Sequence, residues 1–343
     1  MIKVLVVDDS AFMRQILKRT INRDPELKTI STANNGAEAL KQIEEFKPDV
    51  ITLDIDMPVK NGLETLEEII RLEKPLPVII LSALDTKDTV MQALELGAFD
   101  FIAKPSGKIS LSINEIREKL LKKIKAAHKS QPNVYNEPEV KISPGKKISK
   151  NSKENFPVIA IGSSSGGPKA LKKLLSIFPE NFPAGFIIVQ HMPAGFTTSL
   201  AARLNDNSGL QVKEAQENDP INPGKALVAP GDFHLTINSE KKVKLDKRPK
   251  EWGVRPCVDY MMSSSARIFK KRLTGIILTG MGHDGASGMK IIQQHNGYGI
   301  VEDKSTALVY GMPSAVIRAG AYDEILPLNK IGQKIIDIVE RST

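Results

Sequence analysis

Short, mostly apolar runs alternate with amphipathic stretches along the first third of the chain. Residues 4–7, 50–53, 78–81 and 101–103 form such runs, and 28–32 is a weaker, more polar candidate. Runs of this length suit strands buried on both faces of a parallel sheet. Between them, residues 11–21, 37–46, 63–72 and 89–96 repeat apolar positions at helical spacing. This βα alternation predicts a doubly wound α/β sheet of five parallel strands.

The pattern stops after residue 122. Gln131, Pro132, Asn133, Pro138, Pro144, Gly145 and many lysines follow, with almost no apolar periodicity. Such a composition buries no core and reads as a linker. Strand-like runs return at 158–161, 187–189, 227–229, 276–279 and 298–301, separated by helical patterns at 169–178, 198–204, 259–269 and 286–294. The expected organisation is therefore a domain over 1–122, a linker over 123–154 and a second doubly wound α/β domain over 155–343. A chain of 343 residues accommodates two domains.

Composition narrows the function classes. No stretch approaches the roughly 18 apolar residues needed to cross a bilayer, so the protein is not expected to be membrane-inserted. Asp8 and Asp9 stand where a secretory leader would be apolar. A single cysteine, Cys257, forms no internal disulfide and fits a reducing cytoplasm. The net charge of +8 invites a nucleic-acid reading. Yet residues 1–122 carry −3, the linker +5 and residues 155–343 +6. The densest run, Lys241, Lys242, Lys244, Lys247, Arg248 and Lys250, reads as a solvated hairpin face or as a patch for an acidic partner. A DNA-binding output domain would instead be a short basic helix-turn-helix module, so no nucleic-acid partner is expected.

Asp8 and Asp9 follow the first predicted strand and Asp54 closes the third. In a parallel α/β sheet the carboxyl ends of the strands share one edge, where ligands bind. Three converging carboxylates call for a cation, and an all-oxygen set suits Mg²⁺. Ser82 and Lys104 bring a hydroxyl and an ammonium to the same edge. Together these groups make a site for phosphoryl transfer onto Asp54. Residues 1–122 closely resemble the response-regulator receiver family, through Asp8-Asp9, Leu53-Asp54-Ile55-Asp56-Met57-Pro58, Asn61-Gly62, Ser82 and Lys104-Pro105. The resemblance implies a flavodoxin-like fold, Asp54 as phosphoacceptor, a histidine kinase as donor, and movement of Ser82 and Phe101 on activation. Phe101 lacks a hydroxyl, so its rearrangement would rest on packing.

In the second domain, Gly162-Ser163-Ser164-Ser165-Gly166 fits G-x-S-x-G between a strand and a helix opened by Pro168. Alone, the motif is compatible with a nucleophile, an anion-binding loop or a plain turn. Its partners favour the first. His191 directly follows one apolar strand, and Asp284 lies in a glycine-rich loop after another. All three therefore reach one sheet edge, with Ser164 attacking a carbonyl, His191 as base and Asp284 orienting it. His283 is a rival base. Oxyanion donors are expected from the Ser165 turn or the Gly280–Gly282 loop. The chain order Ser, His, Asp is not that of α/β-hydrolases. Cys257 has no activating neighbour and reads as an inert thiol.

Residues 155–343 resemble the catalytic domain of the chemotaxis protein-glutamate methylesterase (CheB) family. The resemblance is carried by Ile161-Gly162-Ser163-Ser164-Ser165-Gly166-Gly167, Gln190-His191-Met192-Pro193-Ala194-Gly195-Phe196, Val228-Ala229-Pro230-Gly231 and Leu278-Thr279-Gly280-Met281-Gly282-His283-Asp284-Gly285. His283 stands where the family often has Asn. The resemblance implies hydrolysis of glutamate methyl esters, and deamidation of glutamines, on methyl-accepting chemotaxis receptors, with no metal in the hydrolytic site. The architecture, a receiver joined by a linker to a hydrolytic domain, leads to the expectation that the resting receiver blocks the catalytic cleft until Asp54 is phosphorylated. A receiver-linked adaptor without catalysis is the remaining alternative.

Overall fold

The computed structural model describes residues 1–82, 86–104, 109–130 and 155–341. Two units divide the chain, Met1–Asn133 and Val134–Thr343. Pro105 and residues 131–154 of the expected linker lie outside the described residues.

In the first unit the alternation is realised as β1 (Ile2–Val7), α1 (Ala11–Ile21), β2 (Leu27–Ala33), α2 (Gly36–Phe46), β3 (Val50–Asp54), α3 (Gly62–Ile70), β4 (Val78–Ser82), α4 (Lys87–Leu96), β5 (Asp100–Ala103) and α5 (Ile109–His128). The strands are parallel in the order β2-β1-β3-β4-β5, the flavodoxin-like arrangement. Every residue of β3 and β4 is buried, which is why their sequences read as continuous apolar runs. β2 is an edge strand with four residues not fully buried, hence its weak signal. Ser10, Asn35 and Asn61 each accept a backbone N–H at the start of α1, α2 and α3, satisfying donors that the helix cannot.

α5 runs past residue 122 to His128. Leu120, Ile124 and Ala127 are buried at helical spacing beneath a surface of lysines. One of those lysines, Lys125, pairs with Asp24 and Glu26 at 2.9 and 3.0 Å.

The second unit comprises β6 (Val158–Ser163), α6 (Gly167–Leu175), β7 (Gly185–Gln190), α7 (Phe196–Asp206), β8 (Gln211–Glu214), β9 (Lys225–Val228), β10 (His234–Ile237), β11 (Val243–Asp246), α8 (Val258–Phe269), β12 (Leu273–Ile277), α9 (Ala286–Gln294), β13 (Tyr298–Glu302), α10 (Gly311–Arg318), β14 (Glu324–Leu326) and α11 (Leu328–Arg341). Seven strands form one parallel sheet in the order β14-β13-β12-β6-β7-β9-β8, while β10 and β11 make an antiparallel hairpin. From β6 the chain builds outward through β7, and then returns to β12 on the other side. The switch point therefore lies at β6, where a doubly wound sheet opens a crevice. The short strands β8 and β14 and the helices α10 and α11 are additions to the expected pattern. β8 and β14 are edge strands of four and three residues, too short for a periodic signal.

Candidate active site

Both units place their polar chemistry at the carboxyl ends of parallel strands. In the first, Asp54 is 4% exposed. Its Oδ1 accepts the Ile55 N–H at 2.8 Å, and its Oδ2 lies 2.6 Å from Lys104 Nζ, which is also 2.9 Å from Asp8 Oδ2. Burial pushes the Asp54 carboxyl above its ordinary value; Lys104 pulls the other way, and the Asp8 charge adds to the rise. Burial alone would lower Lys104, but its bonds to Asp54 and Asp8 outweigh that and hold the ammonium above the usual lysine value. Asp8, Asp9 and Asp54 each offer a carboxylate oxygen, all within 4.8 Å of one another. An all-oxygen donor set with Asp9 exposed to water fits Mg²⁺, which retains several waters.

Ser82 ends β4 beside this cluster, fully buried and hydrogen-bonded to Thr86. Phe101 is buried in β5. Its carbonyl accepts Lys123 Nζ at 3.1 Å, and the same ammonium sits 5.8 Å from its ring centroid and pairs with Asp100. The aromatic position is thus tethered to α5, a link invisible in the sequence.

In the second unit, β6 and β7 pair so that Ser163 stands opposite Gln190. Ser164 and His191 are consequently the first residues beyond neighbouring strands, and the His191 N–H donates to Ser163 O at 3.1 Å. Gln190 clasps the two ends. Its Oε1 accepts the Ser163 hydroxyl at 2.7 Å, while its Nε2 donates to Ser164 O at 2.9 Å. Ser163 and Ser165 are buried and Ser164 is partly exposed. Gly166, in the left-handed region at φ 79°, turns the chain into α6. On the other flank the Ser164 N–H donates to Thr279 O at 3.0 Å. A Cβ at Gly280 would stand 2.8 Å from Ser164 Cβ, so only glycine lets the β12 loop pass the serine this closely.

His191 Nε2 lies 2.8 Å from Asp284 Oδ2. Among the described residues Nδ1 has no hydrogen-bond partner, and Ser164 Oγ makes no hydrogen bond to His191. The ring is used in the reverse sense of the chymotrypsin-type template, with Nε2 on the carboxylate and Nδ1 left for the hydroxyl. Catalytic hydrogen bonds of this kind often tighten only with substrate present.

Asp284 is 2% exposed and surrounded by donors. Besides His191, Oδ2 accepts the Val258 N–H at 2.7 Å; Oδ1 accepts the Asp259 N–H at 2.9 Å and the Cys257 thiol at 3.1 Å. The carboxylate therefore sits on the N-terminus of α8, where orphan amides and the helix dipole favour negative charge. Burial acts to raise its pKa, but the His191 bond and the two amides outweigh it and hold Asp284 below the usual carboxylate range. Asp259 returns the arrangement: its Oδ1 accepts from Gly285 N and Gly288 N at 3.0 and 2.6 Å, capping α9. Its Oδ2 accepts Trp252 Nε1–H at 3.1 Å. Burial, then the Asp284 charge, push Asp259 upward.

Comparison with known proteins places this constellation in context. The family model described as CheB methylesterase matches residues 159–335, and that of the response regulator receiver domain matches residues 4–114. A protein-glutamate methylesterase/protein-glutamine glutaminase of Pyrococcus horikoshii is 44% identical over 347 residues, covering 99% of this chain and 94% of the relative. This chain belongs to the CheB methylesterase family. A relative of the same name from Thermotoga maritima is 44% identical, with 98% of each chain covered. The crystal structure of the Thermotoga maritima CheB methylesterase catalytic domain matches 54% of this chain and all of its own, at 45% identity and a TM-score of 0.53.

Within this CheB-family chain, sequence reasoning overlooked the supporting residues. Gln190 carried a signal, a polar residue closing a wholly apolar strand. Thr279 stood in a motif of the family resemblance without a role assigned to it, and Asp259 carried no signal, because their roles arise from amides and carbonyls brought in by other elements. His283 is exposed and stacks edge-on against Trp252, ring centroids 4.2 Å apart, while the Asp284 carboxylate bonds His191. Cys257 is fully buried, and burial followed by the Asp284 charge pushes its thiol far up, away from thiolate chemistry. Of the expected oxyanion donors, the Gly280 N–H is already committed to Val309 O at 2.9 Å.

Proposed function

We propose that this CheB-family chain hydrolyses glutamate methyl esters on chemotaxis receptors through Ser164, His191 and Asp284, and that phosphorylation of Asp54 raises that activity. The single observation that carries the reading is the 2.8 Å His191–Asp284 bond, beside a serine whose strand is paired in register with the strand of that histidine. His191 Nδ1 takes the Ser164 proton as Oγ attacks the ester carbonyl. Backbone N–H groups of the Ser165 turn or of Met281 and Gly282 are the donors proposed for the developing oxyanion, the Gly280 N–H being committed to Val309 O. The proton returns to the leaving methoxide, methanol departs, and a glutamyl ester of Ser164 remains. Water, deprotonated by the same imidazole, then releases the receptor carboxylate. A glutamine amide follows the same course with ammonia as leaving group.

In the receiver unit one Asp54 carboxylate oxygen attacks the phosphorus of a phosphohistidine on a histidine kinase, the P–N bond breaks, and the kinase imidazole leaves. Lys104 neutralises charge on the acyl phosphate. Asp8, Asp9 and Asp54 are the residues that would hold Mg²⁺; when bound, the ion offsets the charge of the phosphoryl oxygens. Among the described residues no helix is long and apolar enough to cross a membrane. With Cys257 as the one cysteine, a cytoplasmic enzyme acting on receptor segments outside the bilayer is the placement proposed.

The test is methanol release from methylated receptor membranes by the wild-type chain and by Ser164→Ala. Release that disappears with Ser164 supports the hydrolase. A folded Ser164→Ala chain that still releases methanol would sink it, and a wild type that releases none would point to the adaptor alternative.

A further inference from the structure

Behind the nucleophile turn lies a buried carboxyl that the reaction above does not use. Glu302 ends β13 and is 0% exposed. β13 runs beside β12, and Glu302 Oε2 reaches across to accept the Thr279 N–H at 2.7 Å. Its Oε1 accepts the Thr306 hydroxyl at 3.0 Å. Thr306 Oγ1 in turn accepts the Leu328 N–H at 2.9 Å, at the start of α11. Among the described residues no lysine or arginine forms an ion pair with Glu302.

Thr279 is the junction. Its carbonyl accepts the Ser164 N–H at 3.0 Å, its hydroxyl donates to Ser165 O at 2.9 Å, and that hydroxyl also accepts the Val309 N–H at 2.9 Å. A continuous polar chain therefore runs from α11 through Thr306, Glu302 and Thr279 to the two serines of the turn. The strand neighbours of Thr279 and Glu302, Leu278 and Val301, are buried and apolar, while the charges of Asp303 and Lys173 act on Glu302 in opposite directions. A buried carboxyl with no ion-pair partner is costly there. Burial pushes Glu302 up to about 7, although the Thr279 N–H and the Thr306 hydroxyl both pull it down.

We propose that Glu302 is a positioning residue for Ser164: by accepting the Thr279 N–H it fixes the backbone of Thr279, whose carbonyl, in the next peptide group, accepts the Ser164 N–H and so sets the direction of the hydroxyl toward His191. The inference rests on Ser164 being the nucleophile. Glu302 touches no reacting atom, so its removal acts on kcat and leaves receptor binding alone. Gln at this position retains an acceptor for the Thr279 N–H and directs its amide toward Thr306 Oγ1. Leu retains the volume and removes the acceptor.

The experiment measures kcat and KM for methanol release by the full chain in the wild type, Glu302→Leu, Glu302→Gln, Thr306→Val and Ser164→Ala, with thermal melts to confirm folding. A folded Glu302→Leu chain is expected to lose kcat by about tenfold to a hundredfold with KM unchanged, and Glu302→Gln to recover most of it. Should Glu302→Leu not fold, Thr306→Val decides, since it frees Oε1 and leaves Thr279 in place: a lower kcat at unchanged KM supports the proposal. Wild-type kcat in a folded Glu302→Leu, or in Thr306→Val when the former does not fold, overturns it. So does Glu302→Gln behaving like a folded Glu302→Leu. Ser164→Ala separates the two readings: if it stays active the nucleophile assignment fails, whereas an inactive Ser164→Ala beside a fully active Glu302→Leu removes only the role of Glu302.

Discussion

Asp54 and Asp284 are both nearly buried aspartates at the carboxyl edge of a parallel sheet, yet their surroundings push them in opposite directions. Asp54 receives one amide and one lysine, has another carboxylate for a neighbour, and is held above its ordinary pKa. Asp284 also has a carboxylate beside it, Asp259, but receives two helix amides, a thiol and an imidazole, and is held below it. The first carboxylate is under-satisfied and open to bond formation with phosphorus. The second has its lone pairs committed and serves only to hold another side chain. Residue type and sheet edge are the same, although Asp54 closes β3 and Asp284 lies in the loop between β12 and α9; the number of donors goes with the role.

The largest expected break in this comparison comes from Asp284→Asn. It keeps the shape but forces the imidazole to pair with an amide, and methanol release should fall on the order of 10⁴-fold, as for the matching change in a serine protease triad. A loss below tenfold would show that the carboxylate does not orient His191.

The opposite pKa directions make a second prediction, read from melts of Asp54→Asn and Asp284→Asn in magnesium-free buffer. Because folding raises the Asp54 pKa, wild-type stability from this group falls as pH rises above about 4, the unfolded carboxylate value. The Tm of Asp54→Asn relative to wild type should therefore climb from pH 4 to pH 7. Folding lowers the Asp284 pKa, so its contribution is present above that value and is lost as pH falls through the folded pKa. The Tm deficit of Asp284→Asn should accordingly shrink in acid. Parallel trends for both variants would contradict the contrast.

Trp252→Phe should have the smallest effect. It removes the N–H donor to Asp259 Oδ2 but keeps an aromatic ring against His283. One hydrogen bond of about 1 kcal/mol, acting through Asp259, corresponds to roughly a fivefold fall in kcat. A hundredfold fall would mean that Trp252 contacts substrate directly.

Much of this arrangement was legible in the sequence, because chemistry and periodicity coincide at strand ends. Asp54 closes an apolar run, Ser164 and His191 each follow one, and the edge rule of parallel sheets brings them together without any knowledge of loops. The support around Asp284 was not legible. Its donors are the backbone N–H groups of Val258 and Asp259, which any residues could supply and which arrive only because α8 points its N-terminus at the loop after β12. Glu302 was hidden for a similar reason: a glutamate ending a strand suggests solvent, and only the register of β13 beside β12 directs it inward. The stripe Leu328, Ile331, Ile335 and Val339 of α11 has helical spacing in the sequence and is buried, although no catalytic motif marks it. The extension of α5 to His128 was masked by Lys122, Lys123 and Lys125, whose charge hides the apolar face beneath.

The most direct test of the whole account is methanol release from methylated receptor membranes, with and without a small-molecule phosphodonor and Mg²⁺, by the wild type, Asp54→Asn and Ser164→Ala. The account predicts that phosphodonor raises wild-type release several-fold, leaves Asp54→Asn at the resting rate, and gives no release from Ser164→Ala. Stimulation that persists in Asp54→Asn, or release that persists in Ser164→Ala, would contradict it.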